Sequence, residues 1–197
     1  MDVSWLLTWL ESTALAARLR ESALLFPLLE STHVLGLALV LGTITVLDLR
    51  LLGLASTERP FRRMSDDILT WTWGAFAVTA TTGMLMFLTN ATVYFGNTAF
   101  RLKLGLLALA GLNVVVFGLT AGRSVNRWDG SSSAPAAGKA AAVVSLVLWV
   151  TVVVAGRVIG FTTTRTTLAV PQGEHLEELL GFPTDAGQAA PVPAAGR

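Results

Sequence analysis

The sequence lacks cysteine altogether and is poor in charge. Among its 197 residues there is no Cys, and only 14% are charged, against about 25% in ordinary soluble domains. The first absence excludes disulfides, thiolate metal sites and thiol catalysis within this chain. The second excludes most soluble folds. The 14 basic and 13 acidic residues give a net charge of +1, so the composition provides no strongly basic surface and we expect no nucleic-acid partner.

The charges that do occur are distributed unevenly, and four long stretches have none. These runs contain 17, 33, 19 and 17 residues: Ser31–Leu47, Ile68–Phe100, Leu104–Gly122 and Ala140–Gly156. A helix of about 20 apolar residues crosses a hydrocarbon core of ~30 Å. The pattern predicts an all-α integral membrane four-helix bundle, a single domain over residues 1–182. The spans are expected near Ala23–Leu47, Thr70–Leu88, Leu104–Leu119 and Ala140–Phe161.

The two ends of the chain differ from these spans. The N-terminal region begins with Asp2 and is interrupted by Glu11, which is unlike a signal peptide. Its Trp5 and Trp9 fall on one side of a helical wheel, which predicts an N-terminal interfacial amphipathic helix. A plain helical lead-in to the first span is the alternative. Pro183–Arg197 has the composition of a disordered C-terminal tail.

Orientation depends on the basic residues outside the spans. The first and third connectors hold seven bases and the opposite side holds six before Arg197. The dense group Arg59, Arg62 and Arg63 lies in the first connector. By the positive-inside rule we therefore expect connectors one and three to be cytoplasmic.

Ionisable residues inside the spans are the main candidates for a site. They cost about 2.5–3.5 kcal/mol at a helix centre, so they face a partner or serve a function. Glu30 and His33 lie one turn apart in the first span, and Arg157 lies near the end of the fourth, in the same leaflet. We expect a Glu30–Arg157 pair with His33 beside it. This cluster is interpreted either as a clasp between helices or as a small site for proton-coupled, quinone or haem chemistry.

A second polar cluster ends the first span on the opposite side of the membrane. Asp48 and Arg50 are two residues apart and so do not face each other on a helix. Each is expected to have its own partner, and the first connector offers several charged candidates: Arg62, Arg63, Asp66 and Asp67. The mid-span amide of Asn113 is expected to bond to a neighbouring helix.

Small residues mark the expected contacts between helices, because close approach stabilises packing in lipid. They form one seam in each of the last three spans: Ala75, Thr79 and Gly83; Gly105, Ala108 and Gly111; Gly156 and Gly160. We expect all of these seams to pack inside the bundle.

Several short motifs resemble an uncharacterised bacterial family of four-span membrane proteins, a domain of unknown function. They are His33-Val34-Leu35-Gly36, Gly42-Thr43, Asp48-Leu49-Arg50-Leu51-Leu52-Gly53, Trp71-Thr72-Trp73, Asn97–Lys103 and Gly111-Leu112-Asn113. The resemblance implies a multi-pass protein of the bacterial inner membrane. Members of that family often have a second histidine near the end of the third span, where this chain has Phe117-Gly118.

The histidine count bears on the cofactor. Haem in a membrane bundle takes two histidines, or a histidine and a methionine. The chain has only His33 and the tail residue His175. Met84 and Met86 are expected in the leaflet away from His33. The sequence thus predicts no metal and no cofactor, with His33 as the cofactor-binding residue if haem b or quinone is bound.

No catalytic motif is recognisable, since the chain has no nucleophile elbow, metalloprotease helix or phosphate-binding loop. The sequence favours a non-enzymatic membrane protein in contact with the lipid bilayer and open to a homo-oligomer or membrane-protein partner. One alternative is a haem- or quinone-binding redox subunit. Another is an oligomeric small-solute transporter or channel, lined by Glu30, His33, Asn113 and Arg157.

Overall fold

The computed structural model describes residues 3–129 and 133–168, with side chains up to residue 162. Within these residues the chain is helical and has no strand. The helices are α1 (Ser4–Glu11), α2 (Ala14–Glu21), α3 (Leu25–Leu52), α4 (Phe61–Thr89), α5 (Ala91–Gly96), α6 (Thr98–Leu119), α7 (Val125–Trp128) and α8 (Ala136–Leu168). A 3₁₀ turn, Gly122–Ser124, precedes α7. The predicted tail, 183–197, lies outside the described residues.

Three segments are long and apolar enough to cross a membrane: Leu25–Leu52, Thr98–Trp128 and Ala136–Thr162. The fourth long helix, α4, has 29 residues, but its threonines and tryptophans lower its hydropathy. Several helices extend beyond the predicted spans. Helices α3 and α8 continue beyond Leu47 and Phe161, and α4 begins at Phe61. Hydropathy detects only the apolar part of a helix, and the hydrogen-bonded backbone continues into polar sequence.

Local sequence explains where the long helices begin and end. Pro27 stands in the first turn of α3, where its missing N–H would have no partner in any case. Gly53 ends α3 with φ 77°, a left-handed conformation that favours glycine. Pro60 precedes α4. The side chain of Asn97 caps α6 by accepting from the backbone N–H groups of Ala99 and Phe100.

The four long helices pack in the order α4, α3, α8, α6, with α3 against both α4 and α8 and with α8 against α6. In the described chain, α4 and α6 do not pack closely against each other. Their core is formed by Val40, Ala75, Ala110, Trp149 and Val152. A hydrogen bond of 2.9 Å from Asn113 Nδ2 to the carbonyl of Ala141 joins α6 to α8, which confirms the role expected for that amide.

Aromatic side chains bridge both ends of the space between α4 and α6. At one end Phe87 and Phe100 are stacked, with ring centroids 5.4 Å apart. At the other end Phe61 and Phe117 meet edge to face at 5.8 Å. We call the space between these two pairs the α4–α6 cleft. Between these pairs, α4 and α6 make few contacts in the described part of the chain.

The predicted small-residue seams differ in whether they pack against a neighbouring helix. Ala75 is buried, and the seam on α4 packs against α3 at Gly36 and His33. The seam on α6 does not pack inside the bundle, since nothing lies within 4 Å of a Cβ built on Gly105 or Gly111. That expectation was wrong because α6 contacts the bundle through its opposite face, around Leu106, Leu107 and Ala110.

Two short helices precede α3 instead of the single interfacial helix expected. The chain breaks between them at Ser12 and Thr13, and Thr13 caps α2 by accepting from the N–H of Ala16. Glu11 Oε1 accepts from the backbone N and hydroxyl of Thr92 at 2.7 and 2.6 Å. Arg20 donates to the carbonyl of Thr89 at 2.9 Å. Helices α1 and α2 therefore lie at the end of the bundle where α4 ends and α5 begins.

Candidate functional site

His33 projects from α3 onto α4. Its Nδ1 lies 2.9 Å from the carbonyl oxygen of Thr79 and 3.1 Å from the hydroxyl of Thr82. A carbonyl only accepts hydrogen bonds, so Nδ1 must carry the proton in this contact. In the neutral ring, Nε2 is then an acceptor directed away from the Thr79 bond. A hydrogen-bonded Nδ1 that fixes the second nitrogen is also the usual arrangement of histidines that bind ligands.

Glycine and threonine make room for this ring. A Cβ on Gly83 would lie 2.9 Å from His33 Cε1, which is too close without a shift of the ring. Gly36, one turn along α3, faces Thr79 in the same way. Thr82 donates its hydroxyl back to the carbonyl of Val78 at 2.8 Å. The His33 ring is therefore held between α3 and α4 in a shape-matched position.

Lys103 on α6 is the residue that the sequence analysis missed. It is half-buried, near enough for its charge to act on His33, and its Nζ lies 3.7 Å from the position of a Cβ on Gly156. Among the described residues it has no hydrogen-bond or ion-pair partner. Its position at the edge of a charge-free run made it look like a connector base. The uncharged run that begins directly after Lys103, residues 104–122, is the feature that could have placed this lysine at the start of a span.

The structure does not bring Glu30 and Arg157 into an ion pair. The Arg157 side chain is exposed, and its guanidinium lies 5.0 Å from the centroid of the Phe161 ring. Glu30 is exposed and acts instead on Tyr94 of α5. Burial first, and then the Glu30 carboxylate, raise the pKa of the Tyr94 phenol above its usual range. The two residues share an end of the bundle, as expected, but Arg157 stands on its outer surface.

The polar groups at this end therefore differ from the predicted set. The Lys103 charge on α6 acts on His33 of α3, and Phe87, Tyr94 and Phe100 form an aromatic group beside α5. We call His33 and Lys103 the His33–Lys103 site. It combines one hydrogen-bond acceptor, Nε2, with one cationic donor, Nζ, next to the α4–α6 cleft.

The second predicted cluster lies at the opposite end and is buried. Asp48 and Arg50 are 6% and 1% exposed. Arg50 Nε donates to the carbonyl of Arg59 at 2.9 Å, and the side-chain hydrogen-bond partner of Asp48 is Ser145 on α8. The two residues do have different partners, as expected. The expectation of Arg62 as one of them was wrong, because Arg62 bonds to the Asn126 side chain at 2.9 Å.

Comparison with known proteins places this chain in a family. A family model described as a family of unknown function matches residues 9–162. The chain belongs to this family, DUF6644. No curated protein and no solved structure matches it. The match includes α3, α4 and α6 entirely, so both polar clusters of this DUF6644 chain lie inside the family region.

Haem in this DUF6644 chain would need an axial ligand in addition to His33. In the described part of the chain His33 is the sole histidine, since His175 lies outside it. Met86 stands one turn beyond Thr82 on α4, at the same end as His33, so the expectation that it lies in the far leaflet was wrong. Gly83, between them in sequence, is in contact with the His33 ring. This close approach fixes the Cε1 edge of the ring against α4.

Proposed function

We propose that the chain is a four-span membrane protein whose bundle binds a small lipid-soluble molecule of the quinone class at the His33–Lys103 site. The observation that carries the proposal is that a half-buried cation, Lys103, acts on the ring of His33, whose Nε2 is an acceptor, beside the α4–α6 cleft. In this proposal the protein binds its ligand and does not itself catalyse a reaction.

Two observations support α4 as the fourth span. Residues 68–100 contain no Asp, Glu, Lys or Arg, and α4 packs along α3. The Arg20–Thr89 hydrogen bond joins the end of α4 to α2, which directly precedes α3. Helix α4 thus returns the chain to the side from which α3 departs. If α3 crosses the bilayer, α4 crosses it as well.

The natural absence of cysteine allows a clean test of this topology. Single cysteines are introduced at Glu58 and at Phe95, and an impermeant maleimide is applied to intact cells and to opened membranes. The proposal, with connectors one and three in the cytoplasm of a bacterial inner membrane, predicts that Phe95→Cys is labelled in intact cells and Glu58→Cys only after opening. Labelling of both from the same side would contradict four spans.

The chemistry of the His33–Lys103 site points to the ligand class. Lys103 donates hydrogen bonds and His33 Nε2 accepts them. A quinone carries acceptor carbonyls, and its reduced form carries donor hydroxyls. The reduced ring therefore satisfies both groups, since one hydroxyl oxygen accepts from Lys103 and the other hydroxyl donates to His33 Nε2, whereas the oxidised ring bonds to Lys103 alone. Haem fits the site less well, because the described residues provide a single axial histidine and the His33 ring is packed closely against Gly83.

Access to the site comes from the membrane side. A shallow apolar depression of about 290 Å³ lies on the flank of α4, lined by Ala77, Val78, Thr81 and Thr82, and small-molecule pockets begin near ~300 Å³. Thr82 also contacts His33. We therefore expect the apolar part of a ligand to lie against this surface of α4.

Binding of decylubiquinone to the protein in nanodiscs, followed by tryptophan quenching, tests the proposal. Lys103→Gln removes a charged donor, whose loss costs about 1.5–3 kcal/mol, so the Kd is expected to rise about 10- to 100-fold. Arg101→Gln is the matched control, since Arg101 is an exposed cation on the same helix. Equal Kd values for the two variants and the native protein would contradict a ligand at Lys103 and would leave His33 as a helix clasp.

A further inference from the structure

Asp48 is a buried acid that the proposed quinone site does not use. It lies 15 residues after His33 on the same helix, about 22 Å away along the axis. Its side chain is 6% exposed, and its Oδ2 atom is buried without a hydrogen-bond partner among the described residues. Buried polar atoms are nearly always satisfied, so this oxygen needs an explanation.

No charge in the vicinity compensates an ionised Asp48. On α3, Arg50 points elsewhere and donates to the Arg59 carbonyl. On α4, Arg62 bonds to Asn126, while the other charged side chains of its first two turns are exposed: Arg63, Asp66 and Asp67. On α8, no ionisable residue occurs between Lys139 and Arg157, and the contact there is the uncharged Ser145. Helix α2 lies at the other end of the bundle.

We propose that Asp48 is a proton-binding site inside the bundle, with the proton on Oδ2 and Ser145 as the hydrogen-bond partner of the carboxyl. A buried carboxylate without a counter-ion takes up a proton instead of remaining charged. Protonation also removes the charge that Oδ2 would otherwise carry without a hydrogen-bond partner. This site stands apart from the quinone proposal and does not depend on it.

Infrared spectroscopy and a hydrophobic carbodiimide test the proposal on the native protein in liposomes. A protonated carboxyl adds across a carbodiimide C=N bond, its oxygen bonding to carbon while its proton passes to nitrogen, and mass spectrometry locates the adduct. We expect one adduct inside the bundle, on Asp48, and we expect its yield to fall as the pH is raised. Asp48→Asn should abolish the adduct, whereas Asp66→Asn, an exposed matched control, should keep it.

The infrared measurement needs no variant and so does not depend on Asp48→Asn folding. Native protein labelled with ¹³C-aspartate should show a carboxylic-acid C=O stretch that moves to lower frequency relative to unlabelled protein at neutral pH. A carboxyl in water is ionised at that pH and gives no band in this region. Absence of a label-sensitive carboxylic-acid band, or a carbodiimide adduct confined to other residues, would overturn the proposal.

Discussion

The two ends of the bundle handle polar groups in opposite ways. At the end near α5, His33 and Lys103 are half-buried and lie beside the α4–α6 cleft. At the end near α7, Asp48 and Arg50 are almost completely buried, next to a sealed aromatic and aliphatic cluster that includes Leu51 and Trp128. The first arrangement leaves donors and acceptors for a ligand. The second buries its polar groups in the fold, out of reach of a ligand, so mutations at the two ends should differ in their effects on stability and on binding.

The largest expected effect on stability is at the sealed end. Arg50→Ala removes the donor to the Arg59 carbonyl and empties a fully buried position, so the free energy of unfolding should fall by about 3 kcal/mol. Thermal denaturation in detergent measures this. Arg63→Ala, which removes an exposed arginine, should change it by less than about 0.5 kcal/mol. Equal effects of the two substitutions would remove the distinction between the ends.

A glycine pair on α4 tests the fit of the His33 ring. Gly83→Ala places a methyl group against His33 Cε1, and such overpacking costs about 1–3 kcal/mol. Gly74→Ala meets nothing within 4 Å and should leave stability unchanged or slightly raised, because alanine favours helix. If Gly83→Ala were as stable as Gly74→Ala in the same denaturation experiment, the ring would not be held as described.

A smaller effect is expected at the cap over the open end. Glu11 accepts from the N–H of Thr92 in the first turn of α5, and loss of such a capping acceptor costs about 1 kcal/mol. Glu11→Ala should therefore increase hydrogen exchange in α5 while leaving α7 and the start of α4 unchanged. Uniformly faster exchange along the chain would show that the cap is not a local feature.

Apolar periodicity and charge spacing predicted that the long helices exist. The same patterns predicted the hydrogen-bond partners of only a few side chains. The sequence identified His33 as a candidate site residue because an ionisable residue inside an apolar run is unusual. Lys103 could not be identified in this way, since it borders a connector and its direction depends on how α6 is rotated. For the same reason Arg157 was placed in the interior although it faces outward, and the α6 glycines were assigned to packing although they are exposed. Hydropathy gives the depth of a residue along a helix but not the face on which it lies.

A quinone bound as proposed enters the α4–α6 cleft and reaches His33 and Lys103. Photo-crosslinking with an azido-quinone in native membranes, followed by peptide mapping, tests it most directly. Saturable labelling of residues 79–87 on α4 and 100–107 on α6, competed by decylubiquinone and reduced by Lys103→Gln, is the predicted result. Labelling spread over exposed residues in the second half of α6, Leu112, Val114, Val115 and Val116, and unaffected by competitor would contradict binding at Lys103.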